Sequence, residues 1–260
     1  MKKILITSLT HNEQSIKSLL VLLQQYHVTV NGHFWIDDLS KMAWGDVKNE
    51  LMTQDTGLWI IVANQSSLQS ASILKGLSGL SLMIQADEKI LQPNLLILLE
   101  GASTVSSDSL PLALQHAQIL PLSAPGLGAK VVKLLHSPAV KFNREYRIKL
   151  HPLNELGLWI EIAPSHPLRW DGIIFGVNGA EINLQGYGSA GHLPERCALE
   201  YPQQGLKLEV SGNEFSAWAI RNTIDSTNSY FARVDKFPDQ ILFLPYASDD
   251  EADAYVLSLC

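Results

Sequence analysis

A chain of 260 residues, 46% hydrophobic and 17% charged, carries enough apolar material for a folded core and lacks the composition of a disordered segment. Its formal charge of −7 argues against a general nucleic-acid binder, which needs a basic face. No apolar run approaches the roughly 20 residues of a membrane-spanning helix.

In chain order, the first half alternates buried-strand and helix signals. Ile4–Leu9 is a short apolar run closed by the polar Thr10–Gln14. Ser15–Gln25 then spaces Ile16, Leu19, Leu20, Leu22 and Leu23 as one face of a helix. Val28–Ile36 predicts a strand ending at Asp37-Asp38, and Asp46–Gln54 a short helix with an acid near its start. Leu58–Ala63 is apolar without alternation, as a parallel strand covered on both faces should be. Ser70–Ile84 predicts a helix despite Gly76 and Gly79, and Leu95–Leu99 a fourth strand. Ser109–His116 predicts a short helix, Ile119–Leu122 a fifth strand and Pro125–Leu135 a closing helix. Such alternation predicts βαβ units and a parallel five-stranded α/β sheet with helices on both faces.

The second half has a different period. Tyr146–Leu150 and Leu158–Ile162 alternate, while Ile173–Val177 and Ala180–Leu184 flank Asn178-Gly179, which predicts a type I′ hairpin. Leu206–Val210, Phe215–Ile220, Tyr230–Val234 and Ile241–Leu244 follow, with Tyr255–Leu259 a further strand after the acidic run Asp249–Asp253. These short strands, with no convincing helix, predict an antiparallel all-β sandwich or barrel. Composition shifts at the same place. All six arginines, and all Tyr and Phe except Tyr26 and Phe34, follow Pro138; the net charge is −1 before Ala139 and −6 from it onward. Two domains are expected, an α/β domain over 1–138 and a β-rich domain over 139–260.

The order of apolar strand, polar loop, helix and aromatic-Asp strand end is carried by Ile4–Leu9, Phe34-Trp35-Ile36-Asp37-Asp38, Leu39–Trp44 and Gly57–Val62. It resembles a Toll/interleukin-receptor (TIR) domain over residues 3–136, and flavodoxin-like and receiver-like domains share the same rhythm. In TIR domains that hydrolyse NAD, a Ser-rich loop after the third strand leads to a helix bearing a catalytic Glu. Laid over Ala63–Leu77, that pattern puts Gly76 at about the Glu position, with no carboxylate between Asp55 and Asp87. A glycine cannot stabilise an oxocarbenium-like centre, so the departure from the family disfavours NAD hydrolysis. The resemblance to a receiver domain fails likewise, because Ser8–Asn12 and Ala63-Asn64 stand where its metal ligands and phosphorylated Asp belong.

In such folds, ligands bind at the carboxyl ends of the strands. The candidates there are Thr10, Asn12, Asp37, Asp38, Asn64, Ser66 and Glu100, with Ser123 beside them. The same residue types also cap helices and make turns. No Rossmann glycine fingerprint or P-loop occurs. Gly186–His192 fails the GxSxG elbow because Tyr187 precedes Ser189 by two, and reads as a Gly-rich loop. His151, His166, His192 and Cys197 match no zinc spacing. Trp159, Trp170 and Trp218 suit either a core or an aromatic platform, and Trp44 and Trp170 are the candidates for an aromatic partner surface.

The cysteines Cys197 and Cys260 make no disulfide framework, and Met1–Leu9 is too short for a secretory segment, so a cytoplasmic location is expected. The expected function is that of a non-catalytic interaction or signalling protein, with a degenerate TIR-like domain and a β domain that engages a protein partner or a second copy. Neither a cofactor, a resident metal nor a catalytic residue is assigned. The alternatives are a nucleotide or sugar binder, or a nucleotide-processing enzyme, at the strand-end crevice, and a carbohydrate-binding β domain.

Overall fold

Leu58–Ala63 and Leu95–Leu99 hold almost nothing that water favours, and both lie at the centre of a parallel sheet. The computed structural model describes residues 2–86, 92–101, 104–142, 144–153, 157–195, 198–246 and 253–260. By its contacts the chain falls into two compact units, one of residues 1–39 and 43–142, the other of residues 40–42 and 143–260.

The N-terminal unit contains β1 (Lys3–Ser8), α1 (Glu13–Gln24), β2 (Thr29–Phe34), α2 (Lys48–Leu51), β3 (Thr56–Ala63), α3 (Ala71–Gln85), β4 (Asn94–Leu99), β5 (Gln118–Pro121) and α4 (Leu127–His136). All five strands pair in parallel, in the order β2-β1-β3-β4-β5, which is the flavodoxin-like arrangement. Every residue of β3 and β4 is buried. One face of the sheet packs Ile4, Ile60, Val62, Leu96 and Leu98 against Leu19 and Leu23 of α1 and Leu127, Val131 and Leu135 of α4. Each such side chain contributes on the order of 1.5–3 kcal/mol by leaving water. The opposite set, Trp59, Ile61, Ile97 and Leu99, is equally buried.

One predicted helix does not form. Ser109–His116 is a short 3₁₀ turn over Ser107–Ser109 followed by open turns, with Leu114 N–H donating to Pro111 O and Ala117 N–H to Leu114 O. Two causes are visible. Pro111 disfavours helical backbone at Leu110, which is extended with φ −89° and ψ 155°, and the turn that follows is tied to α3, the Ala113 carbonyl accepting from Ser81 Oγ (2.7 Å) and Gln85 Nε2 (2.9 Å). The predicted helix over Asp46–Gln54 shrinks to a 3₁₀ turn, Ala43–Val47, and the single turn α2.

The second unit is a β-sandwich. β6 (Tyr146–Leu153), β7 (Gly157–Pro164), β12 (Asn228–Val234) and β9 (Ile182–Ser189) form one antiparallel sheet in the order β6-β7-β12-β9. The second sheet runs β10-β11-β8-β13-β14, from β10 (Gln203–Val210), β11 (Asn213–Ile220), β8 (Ile173–Asn178), β13 (Gln240–Pro245) and β14 (Tyr255–Ser258). The sheets meet through aromatic contacts, Phe175 against Tyr230 at 5.5 Å and Tyr146 against Phe243 at 4.8 Å between ring centroids. Of the acidic run, Asp249–Ala252 lie outside the described residues.

Two turns exchange their expected roles. The Asn178-Gly179 hairpin does not exist, because β8 pairs with β11 and β13 while β9 pairs with β12 in the other sheet. Of that dipeptide Gly179 alone takes a positive φ, +74°, and the segment is a corner between sheets. A two-residue turn does occur at Ser211-Gly212, with φ values of +52° and +79°, and closes the β10–β11 hairpin through the Val210–Asn213 pair. Gly186 and Gly188, expected in a loop, lie within β9; a Cβ on either would sit 2.8–2.9 Å from Pro194. Their missing side chains let the segment after β9 lie against that strand.

Candidate functional site

The N-terminal unit presents five strand ends to its loops. Asn12 follows β1 and caps α1, its Oδ1 accepting from Ser15 N–H at 3.2 Å. Its Nδ2 reaches Glu100 Oε1, 3.3 Å away at the end of β4. Glu100 is placed by its backbone N–H donating to Ala63 O at 2.8 Å. Around this pair lies an open cavity of about 620 Å³, lined by Asn12, Ser15, Glu100, Gly101, Leu122 and Ser123. A second hollow of about 260 Å³ adjoins it, shares Ser15 and Leu122, and is otherwise walled largely by Leu19, Leu22 and Leu127.

The other sequence candidates go elsewhere. Asn64 Oδ1 accepts from Ser66 Oγ and Ser67 N–H, each at 2.8 Å, so Asn64 and Ser66 build the turn leading toward α3. Exposed Asp37 accepts from Ser72 Oγ at 2.6 Å, in the first turn of α3. Asp38 lies in a turn, its carbonyl accepting from Ala43 N–H at 3.3 Å. The Thr10 carbonyl accepts from Ser8 Oγ, while Thr10 Oγ1 is buried without a hydrogen-bond partner. Asp37 and Asp38 do not line the cavity; Ser15, Gly101 and Leu122, which do, were not among the candidates. Gly101, with φ +79° right after β4, carries the one local signal that could have pointed there.

Trp44 and Trp170 form no aromatic surface. Trp44 is 1% exposed and packs on α3 beside Gly76. Trp170 is 7% exposed, bridged to Ile224 by two backbone hydrogen bonds of 2.9 Å, with its ring 6.0 Å from Phe243. Gly76 is itself enclosed. A Cβ there would lie 2.6 Å from the Trp35 ring and 3.2 Å from Trp44 Cβ, so indole fills the space in which the family resemblance expects a glutamate.

Two polar networks are buried away from the cavity. Under the edge strand β2, Trp59 Nε1–H donates to Thr7 Oγ1 at 2.8 Å, and Thr7 Oγ1 lies 2.9 Å from His33 Nε2. Burial holds the His33 imidazole below its ordinary value, and a neutral ring with its proton on Nδ1, toward Phe34 O, satisfies the set. In the sandwich, Glu161 is 2% exposed on the side of its sheet that faces away from Tyr230. It accepts from Ser229 Oγ (2.7 Å) and Gly191 N–H (2.8 Å) on one oxygen and meets His151 Nε2 (2.8 Å) on the other. Burial alone would raise this carboxyl, but those three partners outweigh it and hold it below the usual carboxylate range. His151, weighed above as a metal ligand, is thus engaged by a carboxylate; Cys197 lies outside the described residues.

Fold and crevice together define a class, a flavodoxin-like α/β unit followed in one chain by an antiparallel β-sandwich. No protein-family model matches the chain, and no curated protein does. Among solved structures it is similar to a two-domain esterase active on acetylated mannans, co-crystallised with mannopentaose. That similarity is 9% identity and a TM-score of 0.33, covering 99% of this chain and 89% of the other. No helix among the described residues is long and apolar enough to cross a membrane.

Proposed function

We propose that the protein is a binding and regulatory protein rather than a hydrolase of NAD, whose N-terminal unit is a TIR-like module holding a small polar ligand at its strand-end crevice. The observation that carries this reading is the meeting of Asn12 and Glu100, 88 residues apart in sequence, on the wall of one cavity of about 620 Å³. That volume lies in the range of small-molecule sites, and the place is where doubly wound sheets bind ligands. Gly76 beneath Trp35 supports the non-catalytic part, since a glutamate side chain has no room there. The partner in this reading is a protein or a second copy of the chain, engaged by the sandwich, and ligand occupancy is the signal. A thermal-shift screen of sugars and nucleosides tests it. A stabilisation that rises with ligand concentration and disappears in Asn12→Ala is expected. Nicotinamide release from NAD above background would overturn the non-catalytic reading.

A further inference from the structure

Resting on that reading, we infer that the crevice takes a neutral vicinal diol bearing a flat apolar group, the chemistry shared by an unphosphorylated nucleoside and an aryl glycoside. Three observations converge on this class. The first is the polar wall. Glu100 offers two carboxylate oxygens, about four lone-pair sites, of which Asn12 Nδ2 uses one at the long distance of 3.3 Å. Two adjacent hydroxyls donating to one carboxylate fit that acceptor, and the hydroxyls of Ser15 and Ser123 stand on the same cavity wall.

The second observation is charge. Among the described residues lining the two hollows, Glu100 is the charged one, and none is Lys or Arg. A phosphate or carboxylate on the ligand would meet a like charge with no cation to offset it, so the group recognised is neutral. The third is adjacency. The smaller hollow shares Ser15 and Leu122 with the cavity, and Leu19, Leu22 and Leu127 give it an apolar wall beside Gln14 and Ser18. A ligand spanning both carries its hydroxyls and its apolar group on opposite ends, as a nucleoside or an aryl glycoside does.

The test titrates the full chain with adenosine, 2′,3′-dideoxyadenosine, AMP, phenyl β-glucoside and methyl β-glucoside, reading affinity by calorimetry. Adenosine or phenyl β-glucoside is expected to bind, and which of them does distinguishes the two sources. The dideoxy compound, AMP and methyl β-glucoside should each be weaker by on the order of tenfold, and Glu100→Gln should weaken the diol ligand similarly. AMP or dideoxyadenosine binding as tightly as adenosine, while still weakened by Asn12→Ala, would overturn the diol class and leave the crevice reading standing. Binding indifferent to both Asn12→Ala and Glu100→Gln, or no binding of any of the five, would overturn the crevice reading as well.

Discussion

The two units differ in where a carboxylate stands. In the α/β unit the sheet interior is almost wholly apolar, with β3 and β4 buried from end to end, and Asn12, Glu100 and Ser123 stand at strand ends where water reaches them. In the sandwich, a carboxylate is sunk into the sheet face and held by His151, Ser229 and the Gly191 N–H. A charge held by three protein donors ties structure together and has little acceptor capacity left for a ligand. An under-used carboxylate at an open strand end has acceptor capacity left over. In the proposed reading the small ligand therefore belongs to the first unit, and the Glu161 network to the stability of the second.

The largest effect should come from Glu161. Glu161→Ala leaves three donors, the buried Ser229 hydroxyl among them, without their acceptor and should lower stability by about 3–5 kcal/mol. Asp37→Ala, at an exposed site with one hydroxyl donor, should stay under about 1 kcal/mol. Urea unfolding monitored by tryptophan fluorescence reads both, and near-equal losses would erase the contrast between the units. Next comes Gly76→Ala, whose new Cβ must displace the Trp35 ring; a loss of about 1–3 kcal/mol is expected. A neutral or stabilising result would mean that the space beside α3 is open to a larger side chain.

The two turns sharpen the comparison within the sandwich. Gly212→Ala, in the true hairpin with nothing near its Cβ, should cost about 1–2 kcal/mol for the left-handed backbone alone. Gly179→Ala should cost more, since its Cβ also runs into the Asp239 carboxylate. The reverse order would contradict the close packing of the Gly179 corner against Asp239.

Acid should separate the units with the smallest effects. His33 is held below its ordinary 6.5 by burial, so the unfolded chain takes up that proton first. Its contribution is complete above pH 6.5 and declines as pH falls toward the folded-state value. Glu161, held below its ordinary 4.5, contributes fully above that pH and loses its contribution only on further acidification. Hydrogen exchange between pH 7 and pH 4 should therefore show β2 amides losing protection before those of β7. Simultaneous loss would mean that His33 is not the first group to respond.

How much of this was legible in the sequence follows the same division. Parallel strands must be joined by crossovers, so their order in the chain nearly dictates the sheet, and the continuous apolar runs of β3 and β4 needed no partner to be recognised. The helix expected at Ser109–His116 is broken at Leu110, which Pro111 keeps extended, and α3, distant in sequence, holds the turn that follows through the Ala113 carbonyl. In the sandwich, strands adjacent in sequence need not pair. Asn178-Gly179 therefore misled, while Ser211-Gly212, a weaker signal, made the hairpin.

At the crevice, Asn12 and Glu100 were readable as polar residues at strand ends. Asn64 and Ser66 looked the same in sequence, and only geometry shows their groups taken up by a turn. Ser15 and Leu122 read as parts of a helix and a strand, and nothing local distinguishes residues that also line a cavity. Trp44 looked like a surface anchor because the space that receives it, beside the bare backbone of Gly76, lies on another element.

The most direct test of the division between the units is amide chemical-shift mapping of the full chain during titration with adenosine and with phenyl β-glucoside. The account predicts that the amides of Ser15, Gly101 and Ser123 move in a saturable way with one of these ligands while that of Gly191, on the Glu161 carboxylate, stays in place. Saturable movement of Gly191 with the three crevice amides unmoved would contradict it.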